Sequence, residues 1–287
     1  MSEHRCDWVD AFTDRPLSGN GCAVVHDAAA LDVETRLAFT KETGLTECAF
    51  VVPSTQADFG ARYYLHHREI LMAGHPTVAT VASLRHRGMI PEGACEFTLE
   101  VGSGVLPISI DEAGWIEMVQ AAPSFMEEHD RAEIAAIFGL RASDLLDEPQ
   151  MVSTGSSFCI TLVSQDALGQ AELDVRKLRA WQEKLGEAGN MIEPYLVSLT
   201  TEGTMARLLL PPPGPPADAF TGSATGCAAS YLWARGHLDG PDYVAAQGDD
   251  MGRPGRAKVG LIGTRDVIKG VRVAGQAHVL MSGVLRL

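Results

Sequence analysis

The sequence is short of the residues that build several common sites. None of its six cysteines (Cys6, Cys22, Cys48, Cys95, Cys159 and Cys227) stands in a Cys-x-x-Cys pair, and they do not gather around the histidines. That pattern suggests neither a zinc site nor a disulfide framework, and most of the thiols are expected to be small core residues. His66, His67 and His75 offer no better metal site, because neighbouring histidines on a strand point to opposite faces and no acidic residue has ligand spacing. No metal is expected. Positive charge is scarce: Lys plus Arg is 23 against 37 for Asp plus Glu, a formal net charge of −14. A surface of that sign repels phosphate backbones and acidic lipid, so neither nucleic acid nor a membrane is an expected partner. No apolar run approaches the roughly 18 residues of a membrane span. The opening stretch Met1-Ser2-Glu3-His4-Arg5-Cys6-Asp7 lacks the basic-then-apolar order of a signal peptide, and a cytoplasmic location is expected. No dinucleotide fingerprint is present either. Gly19-Asn20-Gly21 runs into the strand-like Cys22-Ala23-Val24-Val25, and the stretch from Gly222 to Gly226 lacks the third glycine, so no nucleotide cofactor is expected.

What remains is ordinary globular composition, 46% apolar and 21% charged over 287 residues, enough for two lobes with a shared core. The two halves echo each other. Leu31-Asp32-Val33 followed by Phe39 recurs as Leu173-Asp174-Val175 followed by Trp181, each opening an amphipathic helical stretch. Glu47 ahead of Ala49-Phe50-Val51-Val52 recurs as Glu193 ahead of Tyr195-Leu196-Val197, and Ala61-Arg62-Tyr63-Tyr64-Leu65 as Ala206-Arg207-Leu208-Leu209-Leu210; these read as strands. Finally, Gly74-His75-Pro76-Thr77 leading to Leu84, Arg87 and Gly88 aligns without gaps on Gly222-Ser223-Ala224-Thr225 leading to Leu232, Arg235 and Gly236. The order is kept and the offsets run from 142 to 148, which favours an internal duplication over chance.

The last pair of segments reads as two helices that start at a glycine turn and end at a glycine cap. Being Ala-rich and nearly uncharged, they have no wet face and are expected to be wrapped by strands. The expected fold is α+β, with two pseudo-symmetric lobes, each a mostly antiparallel β-barrel around a central α-helix. Residues 1–120 would form the first lobe, completed by a C-terminal strand at about 275–287, and 121–274 the second. A cleft between lobes is a usual place for a small-molecule site. At its floor the two glycine turns offer free N–H groups and partial positive charge, suited to a carboxylate. His75 and Ser223 sit at matching places beside these turns, with Asp218 five residues before Ser223. The plainer alternative is that Thr77 and Thr225 merely cap their helices. Glu47 stands at the mouth of an apolar strand, where burial would favour its neutral form and suit it to acid–base work.

The chain resembles the PhzF-type, phenazine-biosynthesis-like isomerases of the diaminopimelate epimerase-like fold, from end to end. The resemblance is carried by Val9-Asp10-Ala11-Phe12-Thr13-Asp14-Arg15-Pro16 with Ser18-Gly19-Asn20, Leu45-Thr46-Glu47-Cys48-Ala49-Phe50 and Ala73-Gly74-His75-Pro76-Thr77. It continues in Asp218 with Thr221-Gly222-Ser223-Ala224, Gln247-Gly248 with Gly252-Arg253-Pro254-Gly255, and Val273-Ala274-Gly275-Gln276-Ala277. It implies a cofactor-independent isomerase, commonly a homodimer, that moves a proton on a small, cyclic, unsaturated amino carboxylic acid. In the characterised phenazine-pathway member that substrate is trans-2,3-dihydro-3-hydroxyanthranilate. By position, the resemblance makes Glu47 the proton carrier and His75, Asp218 and Ser223 its catalytic partners, with Asn20, Gly74, Thr221 and Gly222 binding substrate.

The chain also departs from that pattern. Ala217-Asp218-Ala219-Phe220 stands where Glu-Asp-Pro is usual, Asn20-Gly21 where Asn-Pro is frequent, and His66-His67-Arg68-Glu69-Ile70 lacks a Thr-Pro, changes that bear on the substrate more than on the acid–base group. Two alternatives stay open: a non-catalytic binding protein on the same fold, and a racemase or epimerase of the same superfamily. The latter uses a thiol before each central helix, where this chain has Ala73 and Ser223. A serine hydrolase is disfavoured, because Thr221 occupies the first glycine of the G-x-S-x-G elbow.

Overall fold

Two helices without a wet face set the architecture. The computed structural model describes residues 2–186 and 192–287, with six α-helices among them: α1 (Val33–Thr43), α2 (Gly74–His86), α3 (Arg131–Ile137), α4 (Gln165–Gln170), α5 (Val175–Lys184) and α6 (Gly222–Ala234). From Gly74 to Leu84 every residue of α2 except Ala82 is buried, and α6 is buried from Gly222 to Leu232. Helices built of Gly, Ala, Ser, Thr and Val gain nothing by facing water, so strands enclose them. Helix α2 packs on strands Glu3–Ala11, Asn20–Val25, Cys48–Val52, Ile116–Gln120 and Ala277–Arg286. Helix α6 packs on a different set: Gln150–Ser153, Ser157–Leu162, Pro194–Leu199, Gly255–Gly263 and Ile268–Gly275. The fold is α+β, with two pseudo-symmetric lobes.

The duplication read from sequence extends to the pairing. In the first lobe Asn20–Val25 runs parallel to Cys48–Val52, with Ala23 opposite Cys48, and Cys48–Val52 runs antiparallel to Phe59–Tyr64. In the second, Ser157–Leu162 runs parallel to Pro194–Leu199, with Cys159 opposite Pro194, and Pro194–Leu199 runs antiparallel to Gly203–Leu209. A parallel pair needs a crossover; α1 supplies one, α4 and α5 the other. Each of α1 and α5 starts at the aspartate the repeat had aligned: Asp32 accepts from the Thr35 N–H at 2.8 Å, and Asp174 from those of Arg176 and Lys177 at 3.0 and 3.3 Å. Both central helices end alike. Gly88 and Gly236 adopt left-handed φ of 66° and 79°, and the next N–H returns to Leu84 O and Leu232 O, each at 2.9 Å.

Two local expectations need correction. Thr77 and Thr225 do not cap their helices: the N-caps are Ala73 and Thr221, and each threonine hydroxyl turns back to the carbonyl four residues earlier, at 2.7 Å to Ala73 O and 3.0 Å to Thr221 O. Buried in the first turn, each hydroxyl finds that carbonyl the nearest acceptor. The amphipathic reading fits α5, which buries Leu178, Trp181 and Gln182, but not α1, which buries Thr40 alone. Helix α1 is held by half-buried Leu37 and Phe39 and by Arg36, whose guanidinium lies 5.7 Å from the Phe50 ring and 5.6 Å from that of Tyr64.

The C-terminal strand Ala277–Arg286 pairs antiparallel with Glu3–Ala11, so the end of the chain returns to its beginning. Ile268–Gly275 lies between Gly255–Gly263 and Ile116–Gln120 and stitches the lobes along one edge. We propose the corresponding division, residues 1–120 plus the last strand against 121–274. At the far end of α2, Arg87 clamps Asp7 at 2.6 and 2.7 Å, and Ser83 links Asp7 to His26 by two 2.6 Å contacts, so the helix cannot slide along its barrel.

At the near end α2 and α6 meet tip to tip. A Cβ on Gly74 would lie 2.7 Å from Gly222 Cα and 2.9 Å from both Gly222 C and Ser223 N, backbone atoms that cannot yield. Gly74→Ala is therefore expected to cost about 1–3 kcal/mol, as overpacking does. Gly169→Ala, in exposed α4 with open space around it, should instead stabilise by roughly 0.5–1 kcal/mol. Urea titration of both variants checks this, and equal effects would remove the close contact as a constraint.

Candidate active site

The site is built outward from Asn20. Asp10 accepts from the Leu17 N–H at 2.8 Å and from Arg253 at 2.7 Å, and Arg253 also donates to Gly19 O at 2.9 Å. Gly19 takes a left-handed φ of 58°, and a Cβ there would lie 2.1 Å from Ala11 O. This clamp turns the Asn20 side chain into the seam between the lobes. Its Nδ2 donates to Asp218 Oδ1 at 2.8 Å and to Phe220 O at 2.9 Å, and lies 3.0 Å from His75 Nδ1.

Those contacts decide a tautomer. A main-chain carbonyl only accepts, so the atom facing Phe220 O is the amide nitrogen, and His75 Nδ1 must then be an acceptor. The ring proton sits on Nε2, which is buried and has no hydrogen-bond partner. Burial pushes His75 down to about 3, so the ring is neutral. Asp218 is buried, and its carboxylate takes three donors: Asn20, Thr46 Oγ1 at 3.1 Å, and Thr221 Oγ1 at 2.6 Å. Burial raises its pKa, and the hydrogen bonds from Thr221, Asn20 and Thr46 oppose that rise. Gln247 secures the loop, donating to Asp218 O at 2.8 Å while its Oε1 accepts from the Thr221 N–H at 3.1 Å and Tyr195 Oη at 2.9 Å.

Glu47 immediately precedes strand Cys48–Val52. Its Oε2 lies 3.7 Å from His75 Nδ1, too far for a hydrogen bond, and is buried without a partner, while the side chain stays 16% exposed. Burial first, and the Asp218 charge second, hold its carboxyl well above the usual range, against a smaller pull from Arg68. A carboxyl that burial biases toward its neutral form therefore faces a neutral histidine. Each presents a buried polar atom that nothing among the described residues satisfies, which is the state of groups arranged for a ligand.

Gly74, Gly222 and Ser223 lie at the touching helix tips, where helix geometry leaves first-turn N–H groups without an i−4 acceptor. The Ser223 hydroxyl has no partner among the described residues. Behind the tips Phe12 stacks on Phe220 with ring centroids 4.3 Å apart. A Cβ on Gly222 or Gly275 would come within 2.7 or 2.4 Å of Phe12, and one on Gly255 within 2.5 Å of Phe220, which accounts for glycine at all three places. An open surface hollow of about 430 Å³ beside Ala171, Arg207 and Pro212 shares no residue with this cluster.

The structure thus brings Asn20, Glu47, His75, Asp218 and Thr221 into one contiguous cluster and places Gly74, Gly222 and Ser223 at the facing helix ends. Sequence reasoning missed the work of Thr46, Gln247, Asp10 and Arg253. All four lay inside the motif stretches, but nothing in one dimension ties them to Asn20 or Asp218. It also aligned Glu193 with Glu47 without giving it a property; burial pushes that carboxyl up to about 7, against Arg179 and Arg68.

A carboxyl whose pKa rises on folding stabilises the native state most below its unfolded value of about 4.5, and this contribution is lost as pH climbs toward the folded value. Wild type should therefore lose stability more steeply than Glu47→Gln as pH rises above about 5. Urea midpoints at half-unit pH steps measure this, and parallel curves would mean that Glu47 ionises freely.

A family model described as phenazine biosynthesis-like protein matches residues 9–283. Among solved structures, a predicted epimerase from Pseudomonas aeruginosa is 31% identical with a TM-score of 0.82 over 99% of both chains. A phenazine biosynthesis protein of the PhzF family from Bacillus anthracis is 27% identical with a TM-score of 0.84 over 100% of both. The trans-2,3-dihydro-3-hydroxyanthranilate isomerase of Pseudomonas aeruginosa is 27% identical over 98% of each chain. On the match of nearly its whole length, the chain belongs to the phenazine biosynthesis-like, PhzF-type protein family.

Proposed function

We propose that the protein is a cofactor-independent isomerase that moves a proton along a small, cyclic, unsaturated amino carboxylic acid, with Glu47 as the proton carrier. One observation carries the reading: a carboxyl with a raised pKa and an unsatisfied oxygen stands beside a neutral histidine with an unsatisfied N–H, where two helix N-termini meet. The substrate carboxylate takes the first-turn N–H groups around Gly74, Gly222 and Ser223, an arrangement suited to an anion. A hydroxyl or amino group of the substrate accepts from His75 Nε2–H. Binding displaces the water that reaches Glu47, and the carboxylate form removes a proton from one carbon. The C–H electron pair becomes a π bond and the adjacent double bond shifts. The resulting Glu47 acid, whose proton exchanges with solvent in part of the turnovers, then delivers a proton to the carbon at the far end of the shifted system, so atoms and charge balance without a second reactant. A raised pKa suits the group to give the proton back as well as to take it.

Asn20 and Asp218 are positioning residues here. The three donors on the Asp218 carboxylate leave it poorly placed to shuttle a proton, while its charge keeps Glu47 basic enough to accept one. The two-thiol racemase reading finds no support: Ala73 stands before α2, and burial pushes the Cys227 thiol, inside α6, up to about 11. The binding-protein reading leaves the two unsatisfied atoms beside Glu47 without an explanation. Its discriminator is chemical. Incubated with trans-2,3-dihydro-3-hydroxyanthranilate in deuterated water, wild type should incorporate deuterium into a ring C–H, and Glu47→Gln should be slower by about 10²- to 10⁴-fold. Equal rates in both proteins, or no incorporation and no isomer formed by wild type, would overturn this assignment for that substrate.

A further inference from the structure

Strand Ile116–Gln120 alternates between its two faces, and the buried face carries Ile116, Met118 and, at the last position, Gln120, a primary amide 2% exposed at the end of an apolar row. A buried amide must find partners. This one finds them across the seam. The strand packs against α2, yet Gln120 Nε2 donates to the carbonyl of Gly222, the first residue of α6, at 2.9 Å. Its Oε1 accepts from Thr154 Oγ1 at 2.7 Å, in the turn between strands Gln150–Ser153 and Ser157–Leu162. A main-chain carbonyl only accepts, so these two contacts fix which way the amide faces.

Helix α6 is shaped to admit this side chain. A Cβ on Gly226 would lie 1.9 Å from Gln120 Oε1 and 2.7 Å from its Cδ. Glycine is a poor residue for a helix interior, and the internal repeat sets buried Val78 of α2 at the matching place. The missing side chain is thus particular to the helix that Gln120 crosses. The bond also lands on a particular peptide. Gly222 O and the Ser223 N–H are the two ends of one planar unit. Its Gly222 C and Ser223 N atoms are those that a Cβ on Gly74 would meet at 2.9 Å, so this peptide is the one pressed against the tip of α2. Within the helix the carbonyl keeps a second lone pair for Gln120, and the Ser223 N–H has no i−4 acceptor.

We infer that Gln120 is a positioning residue of the site, which fixes the Gly222–Ser223 peptide from its carbonyl end and so aims the N–H at its other end toward the substrate carboxylate. The inference rests on the reading that this carboxylate occupies the helix tips. Donation into the carbonyl also polarises the peptide and makes its N–H the stronger donor. Asn20 holds Phe220 O at 2.9 Å just ahead of the helix, so two amides from the first half of the chain secure the entry to α6. The carboxylate keeps its charge through the proton transfer, so Gln120 acts on substrate binding in ground and transition state alike. A residue that only filled space would need neither the Thr154 hydroxyl nor the gap at Gly226.

The test titrates anthranilate, an inert ring amino acid with one carboxylate, and its neutral counterpart 2-aminobenzamide calorimetrically into wild type, Gln120→Met, Gln120→Glu and Thr154→Val. Wild type should bind anthranilate about tenfold or more tightly than the amide. Gln120→Met, close in volume, should cut that ratio about fivefold and leave 2-aminobenzamide within about twofold of wild type, whereas a packing defect would weaken both ligands alike. Gln120→Glu, kept neutral by burial at about pH 6, still donates to Gly222 O and should retain the ratio. Thr154→Val frees Oε1 and should cut the ratio about threefold, which decides the matter where Gln120→Met does not fold. A ratio unchanged in Gln120→Met, or in Thr154→Val when only that variant folds, refutes the inference, as does an equal loss for both ligands or a Gln120→Glu protein as poor as Gln120→Met. A wild type without preference for anthranilate refutes the carboxylate reading and this inference with it. If the ratio falls in Gln120→Met while wild type shows no deuterium exchange, the proton-transfer reading alone has failed.

Discussion

Two helix N-termini, each a concentration of partial positive charge, are held in backbone contact at Gly74 and Gly222. Like ends in contact repel, and a side chain on either glycine would force them apart. The approach is maintained by what surrounds it: the Phe12–Phe220 stack behind the tips, the barrel strands around each helix, the Arg87–Asp7 clamp at the distal end of α2, and Asn20 bonding across the seam to Asp218 and Phe220. The Asp218 carboxylate offsets part of the positive field. The remainder is available to a bound anion, and so the packing constraint becomes a binding property.

The electrostatics of the centre follow from the same closure. With little water present, ionised groups are disfavoured unless they are hydrogen-bonded, and the cluster sorts itself by how many donors each group receives. Asp218 receives three and can hold charge. Glu47 Oε2 receives none and is raised, and His75, held through Nδ1 by an amide that only donates, is neutral with its proton on the opposite nitrogen. Two carboxyls and one neutral imidazole lie in contact or nearly so, and the difference in their partners separates the two carboxyls.

The duplication supplies the frame and its breaking supplies the chemistry. Glu47 and Glu193 precede equivalent strands, and Thr77 and Thr225 make the same backward bond, yet His75 in one lobe faces Ser223 in the other. The partner-rich Asp218 and Gln247 belong to the second half, and Glu47 and His75, with their unsatisfied atoms, to the first. The two lobes have thus taken different shares of one site.

Much of this was legible in one dimension because it is periodic or local. The repeat, the two uncharged helices with their glycine starts and left-handed glycine ends, the aspartate caps of α1 and α5, and the strand after Glu47 all depend on residues within a few positions of one another. The motif stretches marked Asn20, Glu47, His75, Asp218, Thr221 and Ser223 as residues of interest. The Asn20–Asp218 bond spans 198 positions, and the Gly19–Arg253 contact 234. No local preference encodes such pairings; they exist only once two barrels have closed and their helix tips have met. The histidine tautomer and the unsatisfied oxygen of Glu47 were decided there. A side chain's protonation and its spare hydrogen-bonding capacity depend on which distant groups and how much water the folded chain brings beside it.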